Sequence, residues 1–269
     1  MNARFGLGLV LVFAGACRRP VETGSEPTAA PAPSASVAPR LTTSNEFEAA
    51  GVRVKTGSLP AIGVGGVWGF TDVAPDLGRT RLEIEVAKRG APLAELLPSG
   101  GLLVVNGGYF EADFRPSTWL KNAGVELAPK SDTSKGGLLA LRDGAVYIGP
   151  FAQLGFEPEL AVQSFPLIVE PDRVSGIHRD DGRRAARTVA CLVERQLHFI
   201  VVSAPRGEGP TLFETADLLR AAPPLGFGCR VALNLDGGPS TGVWFGPAIS
   251  SKPRPPLANV AYAIAVLPR

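Results

Sequence analysis

Sulfur, imidazole and long apolar runs are scarce in this sequence of 269 residues. It holds one methionine, two histidines and three cysteines. So few soft or imidazole donors leave little room for a transition-metal centre. An excess of one charge is also lacking: 27 Lys and Arg against 25 Asp and Glu give a formal net charge of +2. That balance offers no electrostatic case for a nucleic-acid partner. The apolar run from Phe5 to Phe13, interrupted only by glycine, is shorter than the roughly 20 residues a membrane-spanning helix needs.

What is present begins at the N-terminus. Arg4 supplies a positive start, the apolar run follows, and Ala14-Gly15-Ala16 lead into Cys17. These are the parts of a secretory signal. A cysteine directly after the small residues resembles a bacterial lipoprotein signal, although Ala14 stands where leucine is usual. The resemblance implies removal of residues 1–16, a lipid (palmitate among its acyl chains) on Cys17, and contact with the membrane through that lipid. An ordinary secretory signal with an incidental cysteine is the competing reading. Arg18 after the cysteine, rather than aspartate, implies the outer membrane if the host is Gram-negative. Cys191 and Cys229 then remain as an even pair in an oxidising compartment. A disulfide between them and two buried free thiols are both open.

Arg18 to Ser44 is rich in Pro, Ala, Ser and Thr and poor in large apolar residues. Such a stretch buries too little surface to offset its ordering entropy, so residues 17–44 read as a disordered tether. One domain, 45–269, follows. Leu82 to Val86 alternates apolar and polar as a half-buried strand does. Leu102 to Val105 and Val231 to Leu235 are buried strands ending at Asn106 and Asp236. Leu138–Leu141 and Ala145–Ile148 form a hairpin around Asp143-Gly144. Thr188–Val193 and His198–Val202 form another, joined by Glu194, Arg195 and Gln196. Thr211 and Glu214 have capping-box spacing, and Leu212, Ala216 and Leu219 share one face of the helix they open, which Pro223 ends. The last strand is Ala261–Val266. These elements predict an α+β class: a mixed, largely antiparallel sheet core of short strands with a few flanking helices.

Two segments share a design in which an apolar strand ends in a polar residue and two glycines: Asn106-Gly107-Gly108 and Asp236-Gly237-Gly238. Paired glycines permit positive φ and close approach of a ligand to the backbone, and successive N–H groups can cradle an anion. Either motif alone reads equally as a tight turn. Arg187-Thr188 lies between them, after a basic stretch with Arg179, Arg183 and Arg184. The planar fork of arginine suits phosphate. Ser240 offers a hydroxyl beside Asp236. His198 alternates within a strand and reads as structural, whereas His178 lies in the basic loop, within reach of a substrate.

The order of these blocks is the telling feature. It runs Asn-Gly-Gly-Tyr-Phe at 106–110, Val162-Gln163-Ser164 with Pro166 and Leu167, Arg187-Thr188, the capped helix, and Ala232-Leu233-Asn234-Leu235-Asp236-Gly237-Gly238-Pro239-Ser240-Thr241. Over about residues 80–267 this resembles the phosphodiester glycosidase family, that of the lysosomal uncovering enzyme. Asn259 to Val266 is similar to the family's closing strand. Bacterial members of the family also carry an aspartate near Asp113 and a serine near Ser203, and this chain resembles them most. Three positions depart: Pro239 replaces a common glycine, Phe165 a small residue, and Ser203 an acid at a strand end.

The resemblance implies hydrolysis of a sugar-1-phosphate diester in an envelope or extracellular glycan. On that reading Asp236 is nucleophile or base and Arg187 clamps the phosphate. Asn106 binds a sugar hydroxyl or the phosphate, and Glu111 or Asp113 is the second carboxylate. Gly107, Gly108, Thr188, Gly237, Gly238, Ser240 and His178 complete the substrate site. No cofactor is required. Two alternatives stand beside it: a non-catalytic module that binds glycan or phosphoglycan, and metal-assisted hydrolysis with Asp236, Asn106 and Glu111 holding calcium or magnesium.

Overall fold

A computed structural model describes residues 40–61, 66–132, 136–204 and 208–269. Cys17, the signal and nearly all of the tether lie outside the described residues. Strands β1 (Thr42–Ala49), β2 (Val52–Pro60), β3 (Val67–Pro75) and β4 (Thr80–Ala91) open the chain. The boundary expected at 44–45 therefore falls inside β1. Next come β5 (Leu103–Asn106), β6 (Leu120–Asn122), β7 (Val125–Ala128), β8 (Gly137–Arg142), β9 (Ala145–Gly149) and β10 (Leu160–Ser164). Then follow β11 (Leu167–Glu170), β12 (Val174–Ser175), β13 (Arg187–Val193) and β14 (Gln196–Ser203). Helix α1 (Leu212–Arg220) precedes β15 (Cys229–Asn234), β16 (Val243–Phe245) and β17 (Val260–Pro268).

Among the described residues three sheets form, ordered β1-β2-β3-β14-β13-β15-β11-β12, β7-β6-β10-β8-β9 and β16-β5-β17-β4. The α+β class with several flanking helices is overturned: strand accounts for 49% and helix for 10%, with one α-helix among the described residues. The pairings of the two hairpins and of the closing strand are antiparallel, as are those of β5. Besides α1, segments such as Leu93–Leu96, Phe151–Gln153 and Pro171–Arg173 are single 3-10 turns of three or four residues, which make too few hydrogen bonds to offset the cost of nucleating a longer helix.

The hairpin turns obey local chemistry. Asp143 and Gly144 both take positive φ, 52° and 77°, as a two-residue turn matched to strand twist requires. In the β13–β14 hairpin Gln196 already pairs with Val193, so Glu194 and Arg195 alone make the turn. Thr211 caps α1 with the reciprocal bonds of a capping box.

Side chains from all three sheets meet in one core, among them Val54 and Val73, Leu103 and Val105, and Leu139 and Val162. A second cluster lies between the large sheet and α1, where Ala216 and Leu219 cover Ile168, Cys191 and Cys229. Each fully buried Leu or Phe there contributes roughly 1.5–3 kcal/mol over an exposed one. Cys191 and Cys229 are disulfide-bonded, with Cα atoms 5.9 Å apart, and tie β13 to β15 beneath the helix.

Candidate active site

The two glycine motifs come from different sheets. β5 in the four-stranded sheet ends in Asn106, and β15 in the large sheet runs through Leu235 into Asp236. Their backbones join directly, since Asp236 N–H donates to Gly107 C=O at 3.0 Å.

Asn106 is 1% exposed, and both ends of its amide serve the fold. Its Nδ2 donates to Asp236 C=O at 2.8 Å and to Gly107 C=O at 3.0 Å. Its Oδ1 accepts from Thr188 Oγ1 at 2.6 Å and from Gly242 N–H at 3.0 Å. With its donors and acceptor occupied, Asn106 holds the site together and has nothing left for a sugar or a cation. Thr188, fully buried, acts with it.

The glycines are also used differently from the expected anion cradle. Gly107 N–H donates to Tyr262 C=O, Gly108 N–H to Tyr262 Oη, Gly237 N–H to Asp236 Oδ1 and Gly238 N–H to Ala186 C=O. A Cβ on Gly107 would stand 2.1 Å from the Tyr262 ring, so glycine is needed there for packing. Of the four, only Gly238 takes positive φ, at 59°.

Asp236 is partly exposed, and no cation lies within ion-pair distance of it among the described residues. Burial pushes its carboxyl above the usual aspartate value, while the Ser240 hydroxyl and the Gly237 N–H pull it back. Arg187 is 8% exposed. Its Nε donates to Pro210 C=O at 3.1 Å and one Nη to Arg183 C=O at 2.8 Å, so two backbone carbonyls aim the guanidinium. Burial lowers its pKa. The other Nη faces Gly237, 3.7 Å from where a Cβ would stand.

Tyr109 connects the two. Burial and the charge of Asp236 raise its phenol, and Arg187 and the Asn234 side chain oppose them. Asn234 Nδ2 donates to its Oη at 2.9 Å. The ring stacks on Phe165 with centroids 4.4 Å apart, which gives the bulky residue after Gln163-Ser164 a purpose. Phe165 is 43% exposed and presents an aromatic surface next to Tyr109. Two buried oxygens nearby, Ser164 Oγ and Asn234 Oδ1, have no partner among the described residues.

Over residues 99–267 the chain matches the profile of the phosphodiester glycosidase family. The chain belongs to that family. No curated protein matches it. A hypothetical protein from Synechocystis is similar at TM-score 0.63 and 14% identity, over 81% of this chain and 62% of that one. A protein from Burkholderia pseudomallei is similar at TM-score 0.56 and 12% identity, over 76% and 75%. At such identity the likeness shows the fold alone, and the chain spans 62% of the length of the Synechocystis protein.

Other expected residues of this phosphodiester glycosidase domain stand apart. Asp113 is exposed and bound to Arg115 at 2.6 Å, a pairing that lowers its pKa. Glu111 is exposed on the same tight turn, where its backbone N–H donates to Arg115 C=O. His178 is exposed and makes no hydrogen bond among the described residues. His198 is buried, with Nδ1 2.8 Å from Asp72 Oδ1, and ties β14 to β3. Asn106, Asp236 and Glu111 do not form an oxygen ligand set, because the Asn106 oxygen is spent inside the fold. The site residues that the motifs did not single out are Tyr109, Tyr262 and Asn234. All three lay within quoted blocks or the closing strand, and their role as partners of the glycines and of Asp236 became visible only when the strands were brought together.

Proposed function

We propose that this phosphodiester glycosidase domain hydrolyses a sugar-1-phosphate diester, with Asp236 as the reacting carboxylate. The observation that carries this reading is a half-buried Asp236 with no cationic partner among the described residues, sharing Tyr109 with the buried guanidinium of Arg187. An acid that forms no ion pair is available to a developing positive charge at the sugar carbon, or to the water that attacks it. Arg187 neutralises charge on the departing phosphate, which is already a good leaving group and needs little protonation. Phe165 and Tyr109 give the sugar ring an apolar face to rest on. The function assigned to Asn106 moves to positioning, and a second carboxylate at Glu111 or Asp113 is not part of the proposal.

We place the domain in the cell envelope, anchored through lipid on Cys17. The supports are the Ala14-Gly15-Ala16-Cys17 sequence, the tether-like composition after it, and the even cysteine pair. Mass measurement of the mature N-terminus tests this. Lipid on Cys17 is expected, and an unmodified N-terminus beyond Cys17 would contradict it. Incubation with a panel of sugar-1-phosphodiesters and envelope phosphoglycans, followed by mass detection of released sugar, tests the reaction. Saturable binding with no released sugar would favour the non-catalytic glycan-binding reading instead.

A further inference from the structure

Next to the Asp236 turn lies a cavity of about 540 Å³, and Arg254 is among the residues that line it. The residue is built into the fold by its backbone: Val243 N–H donates to Arg254 C=O at 2.8 Å, and Arg254 N–H returns a bond to Val243 C=O at 2.9 Å. Its side chain lies over Gly69, where a Cβ would stand 2.5 Å from a guanidinium nitrogen. That glycine is the space the arginine occupies. Nε donates to Thr71 Oγ1 at 2.8 Å, and the two Nη atoms donate to Ser203 Oγ and Phe70 C=O, each at 3.4 Å. Burial lowers its pKa.

No carboxylate pairs with this half-buried arginine among the described residues, and none lines the cavity. The lining is instead cationic and hydroxylic, with Lys252 beside Arg254, and Thr56, Ser203, Ser250 and Thr241 around them. Thr241 Oγ1 is buried without a partner among the described residues. A buried charge in native proteins is normally paired or bound to a ligand. A fixed guanidinium ringed by hydroxyl donors is suited to an oxyanion. Gly238 and Ala186 also line the cavity, and they are hydrogen-bonded to each other, so it opens beside the Asp236 turn.

We propose that Arg254, with Ser203, Thr241 and Lys252, forms an anion-binding subsite for a phosphate or carboxylate group on the part of the substrate beyond the scissile bond. Serine at 203, where an acid would pair with Arg254 and cancel it, leaves the guanidinium to the ligand. Placing that anion on the substrate rests on the reading of Asp236 as the hydrolytic centre, but the binding site itself does not.

Calorimetric titration of the full chain with inorganic phosphate and, separately, with acetate tests it, comparing wild type, Arg254→Met, Arg254→Lys and Arg187→Met. Saturable binding of one anion is expected, weakened at least about tenfold in Arg254→Met and partly restored in Arg254→Lys. The preferred anion tells phosphate from carboxylate. Binding by Arg254→Met equal to wild type, or binding lost only in Arg187→Met, would overturn the subsite. Should Arg254→Met fail to fold, wild-type crystals soaked in tungstate decide. Density against the Arg254 guanidinium supports the subsite, and density elsewhere or none contradicts it. Absence of turnover on every diester would leave these outcomes unchanged, so the two proposals fail separately.

Discussion

Asn106 Oδ1 accepts the hydroxyl proton of Thr188 at 2.6 Å, across the seam between the four-stranded and eight-stranded sheets. Thr188 follows Arg187 at the start of β13, and Asn106 also holds the backbone of Asp236. One hydrogen-bonded pair therefore fixes the relative position of the carboxylate and the guanidinium. Both members are buried, so their bonds have no competition from water.

That arrangement separates positioning from chemistry. Asn106→Ala leaves the Thr188 hydroxyl, the Gly242 N–H and the Asp236 C=O without their partner. It is expected to cost at least about 2 kcal/mol of stability, since each buried group left unsatisfied costs about 1–3. Denaturant unfolding of the variant measures it. A loss of activity with unchanged stability would place Asn106 in the chemistry instead.

Asp236→Asn should behave in the opposite way. The folded protein holds this carboxyl above its ordinary value, mainly by burial, so the ionised form costs stability. That cost is absent below the unfolded pKa and grows as pH rises through the folded one. The variant is expected to melt higher than wild type at neutral pH, with the difference vanishing in acid. Thermal melts at pH 7 and pH 3.5 check the sign.

The same raised pKa predicts the acid limb of the rate profile. If Asp236 reacts as its carboxylate, kcat/KM falls as pH drops through a midpoint above that of an ordinary aspartate. The Ser240 hydroxyl helps hold the carboxyl down, so Ser240→Ala moves the midpoint further up. A midpoint that does not move would remove Ser240 from the site.

Much of this was legible in the sequence, for local reasons. The hairpin at Asp143-Gly144, the box at Thr211 and Glu214, and the strands running into Asn106 and Asp236 are each set by residues within a few positions. The few flanking helices expected with an α+β class are replaced by single 3-10 turns such as those at 93–96 and 151–153. Partners distant along the chain were not legible. Nothing local in Asn106 tells that its amide is consumed by Thr188 and Gly242, or that Gly107 is glycine because Tyr262 lies against it. The acids at 111 and 113 have suitable chemistry, but the Phe110–Pro116 bridge folds them into an exposed turn.

The Cys191–Cys229 bond closes a separation of 38 residues. Chain entropy alone assigns such a loop about 4 kcal/mol. Cys191→Ala with Cys229→Ala should lower the denaturant midpoint accordingly, with little change in kcat, because α1 and the large sheet enclose the pair away from Asp236. Mass measurement with and without reductant reports the bond itself, and two alkylatable thiols in the native protein would contradict it.

Arg187→Met is expected to lower kcat/KM on a sugar-1-phosphodiester on the order of 100-fold, as loss of one charge-stabilising group does. The effect should shrink for a substrate whose leaving group carries no phosphate. Equal losses on both substrates would assign Arg187 to structure.

The central claim is that Asp236 performs the reaction, and the release of sugar from a sugar-1-phosphodiester by wild type and by Asp236→Asn tests it most directly. Loss of about 10²–10⁴-fold in kcat, in a variant that melts no lower than wild type at pH 7, is the predicted result. Sugar release at the wild-type rate by the folded variant would contradict it.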